Sequence, residues 1–235
     1  MEEKEQLLAQ VGLHQGDLDQ YLEIADYAQE KIYIKFQDAI GRNHYKRRWL
    51  YELIQNAVDS DEHNPVNVKV SLFSLEDKWK LEFEHDGGLF KPFDKNLHKG
   101  HDFKNFILAK SGKSPTDDRI GKFGTGFLST HCLANIIKIE GLCLEESGEQ
   151  KLKSVTLDRT EFYGDDDDSI KLRTLKIVKS LKEYDSSSVE PKDNFPSAKF
   201  TYYLTKEGLS NAEEGLKEID ISIQFVLACN PRLKS

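Results

Sequence analysis

The hydrophobic pattern changes period between Tyr45 and Phe83, and that change constrains the fold more than any other feature of the 235-residue chain. Tyr45, Trp49, Leu50, Leu53, Ile54, Ala57 and Val58 form one apolar stripe at helical spacing. Directly after it Val66, Val68, Val70 and Leu72 alternate with Asn67, Lys69 and Ser71, and then Trp79, Leu81 and Phe83 alternate with lysines and glutamates. A helix is therefore followed by two half-buried strands. Residues 74–78, polar except for Leu75, have hairpin length, which predicts that the strands are antiparallel neighbours. Each element has one apolar side, and both sides are buried only if the helix lies on the sheet.

The flanking segments extend this pattern. Upstream, Leu18, Tyr21, Leu22, Ile24, Ala25, Ala28, Ile32 and Ile34 predict a helix over 17–39 that stops near Gly41. Downstream, His85-Asp86-Gly87-Gly88 breaks the second strand, and residues 90–119 turn basic and irregular, with a short helix near 103–109. A glycine-rich run at 121–127 leads into a helix ending near Ala134, then strands at 136–144 and 151–157. Residues 164–169, with four consecutive aspartates, and 184–196 read as exposed loops. Phe200, Tyr202 and Leu204 alternate as a last strand, and 209–233 holds a final amphipathic helix. The expected fold is α+β: a two-layer α/β sandwich with a mixed, mostly antiparallel sheet covered on one face by helices. Residues 1–42 form an N-terminal helical extension, and 43–235 form the principal domain, with a lid at about 90–126.

Composition removes several function classes. A hydrophobic content of 38% supports a real core, while a net charge of −8 and a pI near 5.5 do not indicate nucleic acid as the partner. Cys132, Cys143 and Cys229 are three in number without CxxC spacing, so neither a disulfide framework nor a zinc knuckle is expected, and a reducing, cytoplasmic compartment fits. The amino terminus has no basic-then-apolar leader, and no apolar run has membrane-spanning length.

Three polar constellations carry chemistry. Glu52 and Asn56 stand one helical turn apart, with Asp59 on the same face, all off the apolar stripe. A carboxylate there can orient or deprotonate a water, and a neighbouring amide oxygen can coordinate a hard cation. Asp86, at the end of a strand and followed by two glycines, can accept a hydrogen bond from an exocyclic amine while a flat base approaches the backbone. Gly121, Gly124 and Gly126 precede a helix, so backbone N–H groups can face phosphate oxygens. Two other patterns carry nothing: Ser111-Gly112-Lys113-Ser114 lacks the first glycine of a Walker A loop, with Ile107 in its place, and His98, His101, His131 and Cys132 match no zinc spacing.

The order of the three constellations resembles the GHKL superfamily of gyrase, ninety-kilodalton heat-shock chaperones, histidine kinases and MutL, which share the Bergerat ATP-binding fold. The resemblance is strong over about 45–134, and ELIQNAVDS at 52–60 and GKFGTGF at 121–127 look most like the heat-shock chaperone and sacsin branch. It implies ATP and Mg²⁺ as ligands. By that resemblance Glu52 activates the attacking water, Asn56 holds Mg²⁺, Asp59 lies near the nucleotide through water, and Asp86 takes the adenine amine. Gly121, Lys122, Phe123, Gly124, Thr125, Gly126 and Phe127 would wrap the phosphates as part of the lid. Independently of the resemblance, Lys113 lies in the lid segment, from which its side chain can reach a phosphate.

The family's DxGxG appears here as His85-Asp86-Gly87-Gly88-Leu89-Phe90. Either Asp86 is the family aspartate with Gly88 as its glycine, or His85 takes that place with Gly87. Asp86 is preferred, because a carboxylate accepts an amine hydrogen bond without a choice of tautomer. For the late-strand hydroxyl of the family, which touches the water network beside the adenine, Ser197 and Thr201 both qualify.

The implied function is Mg-dependent ATP hydrolysis by an ATPase head whose lid closure drives conformational change in a larger protein, chaperone-like or of the prokaryotic antiviral-defence kind. Such a head is expected to be a fragment, to pair transiently with a second copy, and to work with further domains or a partner subunit. Two other readings remain: a switch that holds nucleotide without turnover, and phosphotransfer of the histidine-kinase kind. Against the last, Glu52 stands where those kinases usually carry asparagine, and His44 is too close to the pocket helix to be the acceptor.

Overall fold

The structure, a computed structural model, describes residues 8–9, 11–41, 45–61, 63–76, 78–91, 93–94, 99–100, 102–110, 126–145 and 148–229. Helix α1 is Gln15–Gly41 and α2 is Tyr45–Ser60. Strands β1 (Val68–Leu75) and β2 (Lys78–His85) form the expected hairpin, with Val68 opposite His85 and Leu75 opposite Lys78. A two-stranded ribbon, β3 (Phe93–Asp94) and β4 (Lys99–Gly100), leads to the short helix α3 (Asp102–Ile107). Helix α4 (Gly126–Ser129) runs into a 3-10 turn, Thr130–Cys132. Strands β5 (Ile136–Leu144) and β6 (Gln150–Asp158) follow, then α5 (Asp167–Ser186), β7 (Ala198–Tyr203) and α6 (Lys206–Cys229).

The chain is α+β. Its main sheet has five strands in the order β1-β2-β7-β5-β6, and every pairing in it is antiparallel. Among the described residues the expected mixed character reduces to a single parallel bridge, Phe90 with Cys143. Alternation sorts the two faces. Leu81 and Phe83, Phe200 and Tyr202, Ile137 and Ile139, and Val155 and Leu157 pair across neighbouring strands and enter the core. On the opposite face Lys69 meets Glu84 at 3.3 Å, Lys199 meets Glu82 at 2.9 Å, and Lys138 meets Glu140 at 2.9 Å.

Helix α1 buries Leu18, Tyr21, Ala25, Ala28, Ile32, Phe36 and Ala39 in the same core as the sheet, which makes it a layer of the domain rather than an appendage. Leu22, Ile24 and Ile34, expected on its buried stripe, are exposed.

Helix α5 corrects the loop assignments at 167–169 and 184–186, while 164–166 and 187–196 connect elements as expected, with one bridge at Val189. The aspartate run begins a helix instead of a loop, because Asp166 caps it, accepting from the Ser169 N–H at 2.9 Å, and Asp167 and Asp168 lie in its first turn, where negative charge opposes the helix dipole. Tyr184, in its last turn, is buried. The helix also covers the outer edge of β6. Glu183 accepts from Thr156 N–H at 2.8 Å, Ser180 Oγ donates to Thr156 O at 2.7 Å, and Ser187 Oγ accepts from Ser154 N–H at 3.0 Å. These bonds occupy strand groups that would otherwise pair with another chain.

Part of the segment expected as a lid is packed into the core. Phe103 and Ile107 of α3 are buried, and the guanidinium of Arg159, itself buried over Phe162, donates from Nη2 to Ile107 O at 2.7 Å. Residues 92, 95–98, 101 and 111–125 of that segment lie outside the described residues. Among the described residues no helix is long and apolar enough to cross a membrane.

Candidate functional site

Helix α2 is the spine of the site. Trp49, Leu50, Leu53, Ile54, Ala57 and Val58 bury its apolar side and so hold the other side in a fixed direction. Trp49 Nε1–H donates to Asn211 O at 3.1 Å, which anchors the helix to α6. On the outward side Glu52 is partly covered, with Arg48 Nη2 at 3.7 Å from its Oε1. Asn56 is exposed, and Asp59 Oδ1 accepts from Gln55 Nε2 at 2.8 Å.

The turn after β2 folds onto the carboxyl end of α2. Gly88 N–H donates to Ser60 Oγ at 3.0 Å, and Ser60 Oγ donates to Ala57 O at 2.7 Å. The approach is too close for a side chain: a Cβ on Gly88 would stand 2.1 Å from Ser60 O, and one on Gly87 would stand 2.3 Å from Ser60 Oγ. The same test applied to Gly126, at the start of α4, puts a Cβ 2.3 Å from Glu52 Oε2. Residues from all three constellations thus converge on α2, although only Gly126 and Phe127 of the glycine-rich run are described. Gly121, Lys122, Phe123, Gly124 and Thr125 lie outside the described residues, as does Lys113.

Between the turn and α4 the floor is aromatic. His85 stacks on Phe200, with centroids 6.4 Å apart and planes 25° apart, and Phe83 meets it edge-on. Phe200 in turn meets Phe127 at 5.9 Å, and Phe127 meets Phe106 at 4.7 Å. A ring of contacts therefore runs from Glu52 through Gly126 and Phe127 to Phe200 and His85, and returns through Gly87 and Ser60 to α2.

The two registers of the aspartate-glycine turn differ in placement. Leu81, Phe83 and His85 alternate inward, so His85 is the last helix-facing residue of β2. Asp86 is exposed, and both its carboxylate oxygens are engaged by Asn67, Oδ1 accepting its backbone N–H at 2.7 Å and Oδ2 its side-chain amide. Asp86, preferred as the base acceptor, therefore points at the start of the hairpin, and the inward position belongs to the other register. Burial pushes the pKa of His85 down to about 4, against an opposing pull from Asp86.

Thr201 is corrected by the same alternation. It sits opposite Glu82 and Lys138 on the charged face, so the sheet separates it from Glu52. The helix-facing residue of β7 level with His85 is Ala198, which has no hydroxyl. Ser197, the other candidate, accepts from Leu142 N–H through its carbonyl at 2.9 Å.

The described oxygen donors suit a hard cation only in part. The amide of Asn56 is exposed one turn from Glu52, but among the described residues no three His, Cys, Asp or Glu side chains gather in a metal-holding group. An Mg²⁺ ion here would take one or two protein ligands and complete its shell with phosphate oxygens and water, as this ion commonly does. His131 is no ligand candidate: it is buried, its Nδ1–H donates to Ala134 O at 3.0 Å, and burial pushes its pKa down to about 3.

In comparisons with known proteins, no family model matches the chain and no curated protein matches it.

Proposed function

We propose that this domain binds ATP with Mg²⁺ and hydrolyses its β–γ phosphoanhydride, with Glu52 as the base that orients and deprotonates the attacking water. The observation that carries this reading is the seat of Gly126 against the Glu52 carboxylate. Glycine lets the chain at the start of α4 reach a carboxylate on the outward side of α2 that is 22% exposed, and such partial cover keeps a carboxylate directed without removing it from water. Asn56 supplies one oxygen to Mg²⁺, whose charge when bound neutralises the phosphate oxygens. The glycine-rich residues 121–126 supply backbone N–H donors, and Lys113, Lys122 and Thr125 supply polar side chains to the same phosphates.

Phe127, half-buried and packed against Phe200 and Phe106, gives the site an aromatic wall against which a planar base can stack. In a longer protein the head would couple closure over nucleotide to movement of further domains or to transient pairing with a second copy, in a chaperone-like or defence role. Isothermal titration with ATP and Mg²⁺, followed by phosphate release on the same preparation, tests the reading. Binding with release supports hydrolysis, binding without release supports a nucleotide-gated switch, and absence of binding rejects the nucleotide altogether.

A further inference from the structure

The inward end of β2 carries an imidazole whose tautomer is fixed by its own turn. The backbone N–H of Gly87 lies 3.2 Å from Nδ1 of His85. A backbone N–H only donates, so Nδ1 accepts and the neutral ring carries its proton on Nε2. The ring is neutral because burial disfavours its charged form. Nδ1 is adjacent to the strand and the turn, whereas Nε2 lies at the distal edge of the ring, away from β2. The neighbouring carboxylate does not offer an alternative, since both oxygens of Asp86 are engaged by Asn67 on the exposed side. Ala198, level with His85 on the next strand, adds no polar atom.

Building on the nucleotide reading above, we propose that His85 is the specificity-determining residue for the base and that it reads the base by donating Nε2–H to an acceptor on its edge, so that the site takes a 6-oxopurine nucleoside triphosphate as readily as ATP. The chemistry follows from the sign of the hydrogen bond. A carboxylate in this position accepts from the amine of adenine and leaves a 6-oxo group facing a lone pair, which rejects it. A donor reverses the preference at position 6: it pairs with the oxygen of hypoxanthine or guanine, and with adenine it must use a ring nitrogen instead of the amine.

The test is a pair of calorimetric titrations of the wild-type chain, Mg-ATP against Mg-ITP, repeated on His85→Asp and Asp86→Asn. The expected result is ITP affinity within about ten-fold of ATP affinity, or tighter, in the wild type. His85→Asp, which installs an acceptor, shifts the ratio toward ATP by about ten-fold or more, and Asp86→Asn leaves the ratio where it was. A wild-type preference for ATP larger than about ten-fold overturns the inference even if His85→Asp fails to fold, and so does a ratio that moves in Asp86→Asn. If ATP binds and ITP does not, the nucleotide reading stands and only the role of His85 is lost. If neither binds, the nucleotide reading itself fails.

Discussion

Gly126 rests against the carboxylate of Glu52 so closely that a methyl group on it would stand 2.3 Å from Oε2 and 3.1 Å from the carboxyl carbon. The two residues come from different elements, a short helix and the long helix α2, and neither contact distance would survive any other side chain at 126. The neighbour that must yield to such a side chain is the tip of a flexible glutamate, so the fold can absorb the change while the carboxylate cannot stay where it is.

Gly126→Ala is therefore expected to leave the melting temperature within a few degrees of wild type, since a shift of about 1 kcal/mol moves a domain of this size by roughly 2 to 4 °C. Phosphate release from ATP should fall by about ten-fold or more, because a general base acts only within hydrogen-bond reach of its water. Full activity in a well-folded Gly126→Ala protein would separate Gly126 from the chemistry.

Gly208 offers the opposite case. A Cβ there would stand 1.7 Å from the carbonyl oxygen of Leu133, a backbone atom in a segment also held by Asn211, whose Nδ2 donates to Cys132 O at 2.8 Å. Nothing at the end of a side chain can move aside. Gly208→Ala is expected to cost about 1 to 3 kcal/mol or more in urea unfolding, the range for overpacking a well-filled site. Unchanged stability would show that α6 is free to shift away from Leu133.

Acid sensitivity should arise in a window set by two buried histidines. Burial holds His85 down to about 4 and, with the added repulsion of Arg159, His131 down to about 3. In the unfolded chain both titrate near about 6.5. Between these values the unfolded state binds protons that the folded state refuses, so the stability contributed by the neutral rings is complete above about pH 6.5 and is lost as pH falls through the window. Each ring contributes up to about 1.4 kcal/mol per pH unit there. Urea unfolding is thus expected to give roughly 2 kcal/mol less per histidine at pH 5 than at pH 7. His131→Gln, which keeps a donor for Ala134 O, should remove about half of the slope. A stability that is flat from pH 7 to pH 5 would contradict the burial of both rings in their neutral form.

Much of this architecture is legible in the sequence. The stripe from Trp49 to Val58 and the alternation in β1 and β2 specify element type directly, because side-chain periods of 3.6 and 2 follow from backbone geometry. That Glu52, Asn56 and Asp59 share the outward side of α2 follows from the same spacing. The inward position of His85 is legible too, since it continues the run Leu81, Phe83, whereas Asp86 is favoured by its chemistry and not by strand geometry. Helix α5 was obscured by its own first turn, where aspartates that favour a loop in isolation become a cap and a dipole partner once the helix exists. Its buried Leu175, Val178 and Leu181 supply helical spacing that could have revealed it. The meeting of Gly126 with Glu52, and of Gly88 with Ser60, had no local signal. Both depend on how two elements pack, which a single sequence does not encode by periodicity.

The most direct test of the central claim measures ATP affinity and phosphate release together in wild type and in Glu52→Ala, at saturating Mg²⁺. Affinity should be preserved to within a few-fold, because Glu52 is assigned to the water and not to the nucleotide. Release should fall by about 10² to 10⁴, the usual cost of removing a general base. Release at the wild-type rate from Glu52→Ala, with nucleotide bound, would contradict the assignment of Glu52 and with it the catalytic account of this site.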